Sequence, residues 1–134
     1  MARPPDQIVA AIRAFEPIAG NWLLLDDLLA ELWANGPAKD HVGDLLAVFE
    51  RFPEEAGGVM WGLLHGLEGL RGYELALVRS VQARPSEMGV TMIGRLLNSG
   101  VSEIADVPLA GLLREVAAST VIPAGARASA EGWA

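Results

Sequence analysis

The chain contains no cysteine, which excludes disulfides, a thiolate nucleophile and any cysteine-ligated zinc or iron–sulfur centre. It has 2 histidines, and serine and threonine together number eight, so the parts for hydrolytic chemistry are few. Long apolar runs are also missing. The longest stretch without a charged side chain covers the 12 residues 56–67, whereas a membrane-spanning helix needs about 20. The opening Met-Ala-Arg-Pro-Pro-Asp has no apolar core of the kind a secretory signal requires. A cytoplasmic location is the expectation. Positive charge is scarce as well, with 10 Lys and Arg against 17 Asp and Glu and a formal charge of −7. A nucleic-acid binder displaces counterions from phosphates with Lys and Arg, and a membrane-surface protein uses polybasic segments. Neither partner is expected here.

What is present is apolar and helical. The 134 residues are 51% hydrophobic, which suits one globular domain. Apolar residues recur at helical spacing nearly throughout, and no convincing period-two strand is visible. A first helix opens at Pro4/Pro5-Asp6 and carries Ile8, Ile12 and Phe15, proline being tolerated in a first turn. A second holds Trp22, Leu25, Leu28, Leu29, Leu32 and Trp33, and ends at the C-cap pair Asn35-Gly36 with Pro37 beyond. Val42, Leu45, Leu46, Phe49 and Phe52 mark a third.

Pro53-Glu54-Glu55 reads as the first three positions of a fourth helix, reaching about Leu70, with acids where the helix dipole favours them. Gly57, Gly58, Gly62, Gly66 and Gly69 burden that helix, each costing up to about 1 kcal/mol relative to Ala. Gly62 and Gly66 share a face, so a neighbouring helix is expected to pack close there. Residues 73–82 form a fifth helix. Pro85-Ser86-Glu87 starts a sixth, which buries Met88, Met92, Ile93, Leu96 and Leu97 and closes at Asn98-Ser99-Gly100. Pro108 starts a seventh through Leu109, Leu112, Leu113 and Val116, and Pro123 a short eighth.

The expected fold is therefore all-α, with seven to eight short antiparallel helices. They form either stacked helical hairpins of HEAT-like type or a compact irregular bundle. Residues 1–123 make a single helical domain, and 124–134 a short terminal helix or a frayed tail.

The acidity is concentrated. Residues 1–55 hold ten acids against four bases. Asp26, Asp27, Glu31, Asp40, Asp44, Glu54 and Glu55 stand out as a candidate face for a basic protein partner. Asp27/Glu31 and Asp40/Asp44 are like-charged pairs at i,i+4, each costing roughly 0.2–0.5 kcal/mol on a helix. The alternative is that Asp40, Glu54 and Glu55 merely sit in first turns, where negative charge is stabilising. Both readings stay open at this level.

Catalytic constellations are hard to assemble. His65 and Glu68 are three apart on the glycine-rich helix, but His41 lies in a distant segment, so no metal site is expected. Asp26 and Asp27 are adjacent, diverge by about 100° on a helix and would not converge on a substrate. No phosphate-cradling loop, GxSxG or HExxH occurs. No enzymatic activity and no cofactor are expected. Trp22, Trp33 and Trp61 occupy apolar helical positions and read as core, whereas Trp133 in the terminal tail carries no weight.

A more distinctive layout spans residues 60–100. Leu70-Arg71-Gly72-Tyr73-Glu74-Leu75-Ala76-Leu77 is followed by Arg84-Pro85-Ser86-Glu87-Met88-Gly89 and then Arg95-Leu96-Leu97-Asn98-Ser99. This resembles the all-helical immunity proteins of bacterial polymorphic toxin systems, of contact-dependent inhibition or Rhs type, and is most similar to the immunity protein 30 family. The resemblance implies an immunity protein that neutralises a cognate toxin domain acting in the cytoplasm, by stoichiometric occlusion. The acidic balance points to a basic nuclease or tRNase as that toxin. The alternative is a helical-repeat scaffold or regulatory adaptor binding a host protein. Tyr73, Arg95 and Asn98 read as structural: Arg95 pairs with Glu68 or Glu74, Tyr73 buries its ring and keeps its hydroxyl bonded, and Asn98 suits a helix exit.

Overall fold

Prolines and caps decide where the helices begin and end. The computed structural model describes residues 3–35 and 38–133. Its helices are α1 (Pro5–Ala14), α2 (Leu23–Ala34), α3 (Val42–Arg51), α4 (Gly58–Glu68), α5 (Tyr73–Ala83), α6 (Glu87–Asn98), α7 (Leu109–Ala118) and α8 (Ala124–Trp133), and the fold is all-α. Pro5 and Asp6 occupy the first turn of α1. Ser86 caps α6, its hydroxyl accepting the Gly89 N–H at 2.9 Å. At the other end of α6, Gly100 adopts φ +99°. Its N–H reaches the Leu97 carbonyl, and that of Val101 reaches Leu96, each at 3.0 Å. That is a Schellman closure, which requires a left-handed residue. Gly36 and Pro37, expected to end α2, lie outside the described residues.

The helices pair as α1/α2, α3/α4, α5/α6 and α7/α8, and the pairs stack. Along one side α1 packs on α3 and α3 on α5; along the other, α2 packs on α4, α4 on α6 and α6 on α8. Contacts of α6 with α3 and α7 tie the two sides into one compact body around a continuous apolar core. Where α1 ends and α2 begins, Phe15, Trp22 and Phe52 cluster with ring centroids 5.0–6.5 Å apart. Arg51 donates to the carbonyls of Ile12 and Phe15, closing the C-terminus of α1.

Several expectations are corrected. Pro53, Glu54 and Glu55 do not begin α4; they lie in the turn after α3, and α4 starts at Gly58. The Pro53 carbonyl instead accepts the Glu87 N–H at 2.8 Å. Asp40 precedes α3 in a single 3₁₀ turn, Lys39–His41, so Asp40 and Asp44 are not neighbours on one helix. Of the two glycines expected to admit a helix, Gly62 faces open space. Gly66 receives a side chain: a β-carbon there would sit 2.2 Å from the Trp33 ring. Trp22 lies just outside α2 as its N-cap, and Trp61 is exposed.

Ala124–Trp133 is helical, and Trp133 lays its indole on Gly94 of α6, where a β-carbon would come within 2.1 Å. Between α6 and α7 the structure adds a hairpin, β1 (Glu103–Ile104) and β2 (Val107–Pro108), with Ile104 opposite Val107. Ala105 and Asp106 turn it with φ +48° and +67°, the positive values a two-residue hairpin demands. Strands of 2 residues are too short to show an alternation, which is why the sequence pattern hides them. No helix among the described residues is long and apolar enough to cross a membrane.

Candidate functional site

The structure divides the nominated acids into two groups. Glu31 takes Arg3 in a two-pronged bond, Nε to Oε2 at 2.9 Å and Nη2 to Oε1 at 2.6 Å. Those hydrogen bonds, ahead of the attraction between the charges, hold the Glu31 carboxyl below its ordinary range and raise Arg3. Asp44 lies 3.5 Å from Arg13 Nη1 and 3.5 Å from His41 Nδ1, while His41 Nε2 reaches Asp6 at 3.3 Å. Glu54 accepts the Gly125 N–H at 3.3 Å, in the first turn of α8, and Glu55 accepts the Gly57 N–H at 3.1 Å. Glu54 is thus not in the first turn of α4, as expected, and its carboxylate instead meets the first turn of α8. Asp26, Asp27 and Asp40 are exposed, and among the described residues no hydrogen bond or ion pair engages their side chains.

Asp26 and Asp27 share the outer face of α2 with large apolar side chains. Leu25, Leu28, Leu29 and Leu32 point into the core, while Leu23 is 67% and Leu24 59% exposed. Ile18, in the preceding connection, is 81% exposed. Sequence reasoning had assigned only the buried leucines. The signal for the others was the run Leu23-Leu24-Leu25: consecutive helical residues are about 100° apart, so three in a row do not all face one core. Large exposed apolar side chains in a group, with charge at the edge, mark interaction surfaces in soluble proteins.

The three residues read as structural converge elsewhere. Tyr73, Arg95 and Asn98 line one open cleft of about 490 Å³ with Glu68, Leu96, Ser99 and Trp133. Arg95 grips Glu68 through Nε–Oε2 at 2.7 Å and Nη2–Oε1 at 2.9 Å, fixing α6 to the end of α4. The first of these effects, hydrogen bonding to Glu68, raises the Arg95 pKa. The Tyr73 ring is buried, as expected, but its hydroxyl bonds to no other described residue and instead reaches solvent. Burial first, then the charges of Glu68 and Glu74, push the phenol pKa up, against a smaller pull from Arg95. The Arg95 guanidinium also stands 6.0 Å from the centre of the Trp61 ring. His65 Nδ1 is 3.8 Å from Glu68 Oε1, and no group of three or more potential metal-ligating His, Cys, Asp or Glu side chains exists among the described residues.

No family model, curated protein or solved structure matches this chain. The quoted residues between 60 and 100 supply Glu68, Tyr73, Arg95, Leu96, Asn98 and Ser99 of the cleft, and α8 supplies Trp133. The exposed face of α2 lies outside that span.

Proposed function

We propose that this protein is a non-catalytic inhibitor of immunity type, which binds one basic toxin domain in the cytoplasm and occludes it stoichiometrically. The observation that carries the reading is the outer face of α2, where exposed Leu23 and Leu24 adjoin Asp26 and Asp27, whose carboxylates are engaged by no other described residue. An interface draws its affinity from a desolvated apolar centre and its specificity and capture rate from charge around it. A nuclease or tRNase domain fits as the target, because an enzyme that holds a polyanion carries a cationic cleft.

Co-expression with the toxin domain encoded beside this chain tests the proposal by survival and co-purification. Replacing Leu23 and Leu24 by Ala should weaken the complex at least about tenfold, through faster dissociation. Replacing Asp26, Asp27, Glu31, Asp40 and Asp44 by Lys should slow association and remove its salt dependence. Unchanged binding by the charge-reversed protein would refute the electrostatic part. A second reading, a scaffold or adaptor for a host protein, draws on the stacked hairpins. It predicts that no large secreted protein with a variable C-terminal domain is encoded next to this chain.

A further inference from the structure

The groove between α3 and α5 carries apolar surface that the stack leaves open. It is a cleft of about 480 Å³ whose lining includes Gly43, Leu46, Leu75, Ala76, Arg79 and Ala83. Leu75 is 37% exposed. A β-carbon on Gly43 would meet nothing within 4 Å, and glycine is unfavourable in a helix, so no contact within the chain accounts for it. Glycine and alanine on both walls leave room for large side chains to enter, as when an amphipathic helix lays its apolar face in a groove.

Charge says what would fit. Glu50 reaches across the groove and accepts the Ser80 hydroxyl at 2.7 Å. Arg79 in the groove and Arg71 just before α5 are exposed, and no hydrogen bond or ion pair engages their side chains among the described residues. The complement is an apolar helix carrying acids, and this chain owns one. On the outer face of α2, Leu23 and Leu24 are exposed beside Asp26 and Asp27. The spacing agrees too: Leu23 precedes Asp27 by four residues, as Leu75 precedes Arg79, about one helical turn in each case. Laid parallel to α5, α2 therefore brings leucine to leucine and acid to base in one register. Two α2 faces meeting across a two-fold axis would instead bring acids against acids.

We propose that the groove between α3 and α5 receives the outer face of α2 from a second copy of this chain, with Leu23 and Leu24 entering beside Leu75 and Asp27 pairing with Arg79. The two surfaces differ, so the contact is head-to-tail, and each added copy leaves one α2 face and one groove free. This occupies the α2 face of the proposed function, and a tighter partner would displace it, but it rests on this chain alone.

Light scattering and sedimentation velocity of the full chain test this at about 0.15 M salt, where repulsion beyond roughly 8 Å is screened. The mean mass should rise with concentration and pass that of two chains by about 3 mM, with a dissociation constant of roughly 0.1–1 mM per contact. Arg79→Glu, and separately Leu23→Ala with Leu24→Ala, should each weaken association at least about tenfold. All three positions are exposed, so these variants keep the fold. An equimolar mixture of the two should associate as strongly as the unaltered chain but stop at two copies, one supplying α2 and the other the groove. Asp26→Lys, Asp27→Lys and Arg79→Glu combined in one chain should restore growth. A mass that stays at one chain up to about 3 mM, growth of the unaltered chain that halts at two copies, association undiminished by Arg79→Glu, or a mixture that fails to recover would overturn the proposal. None of these measurements includes a toxin, so failure here leaves the toxin reading standing, and that reading can fail in co-expression while the chain still associates.

Discussion

Helices α2 and α6 each have 12 residues and sit on the same side of the stack, but they meet different fates. α6 packs against α3, α4, α5, α7 and α8. It buries Met88, Gly89, Val90, Met92, Ile93, Gly94 and Leu96, leaving mainly its C-terminal end to form a cleft wall. α2 packs chiefly against α1 and α4 and buries only Leu25, Leu28, Leu29 and Leu32, although Leu23 and Leu24 carry apolar surface onto its outer side. Large apolar side chains on a helix are ordinarily enclosed; Leu23 and Leu24 are not, because the stack ends beside them. Place in the stack, more than composition, decides which apolar face is core and which is free to meet a partner.

Substitutions can break this contrast. The largest effect is expected from Ile93→Ala in α6, whose side chain is fully buried; a loss of about 2–5 kcal/mol should appear as a lower denaturant midpoint. Gly94→Ala should cost up to about 2 kcal/mol, overpacking against Trp133 being offset in part by better helix propensity. In a Trp133→Ala background the same change should become stabilising, since the ring it meets is gone; denaturation of the four proteins in that cycle checks this.

The two helices should also differ in their response to pH. Glu31 of α2 is held below the ordinary carboxyl value of 4.5. Its contribution is present at neutral pH and is lost as pH falls through the lowered pKa, and salt should screen it because the pair is exposed. Tyr73, which packs beside α6, titrates above the ordinary 10.0. Its contribution is complete below that value and is lost as pH rises through the raised pKa. The chain has 1 tyrosine, so ultraviolet titration of the phenolate reads it alone, and Tyr73→Phe should remove this alkaline loss. The smallest stability change belongs to Leu24→Ala, within about 0.5 kcal/mol by thermal melting, even though the same change should weaken partner binding. A loss comparable to that of Ile93→Ala would mean that α2 is covered after all.

Much of this was legible along the chain because it is local. Ser86 announces a cap and Asn98-Ser99-Gly100 a helix end, and each needs only neighbours a few residues away. The pairing of Arg95 was foreseeable in kind, since a long cation on a largely apolar helix needs a carboxylate; only the structure selected Glu68 over Glu74. Glu54 and Glu55 were misread because Pro53 looks the same ending one helix as starting the next. Trp133 was discounted because nothing near it in sequence reveals that Gly94 leaves room for an indole.

The sequence by itself determined an all-helical chain with a surplus of acid in its first half, through periodicity, capping chemistry and composition, all of which act over a few residues. The tertiary structure alone decided which acids are satisfied internally, which leucines of α2 stay outside, and that Tyr73, Arg95 and Asn98 share one cleft with Trp133. Those outcomes depend on contacts between residues tens of positions apart, where helical period carries no information and only the packing of one hairpin on the next fixes the neighbours.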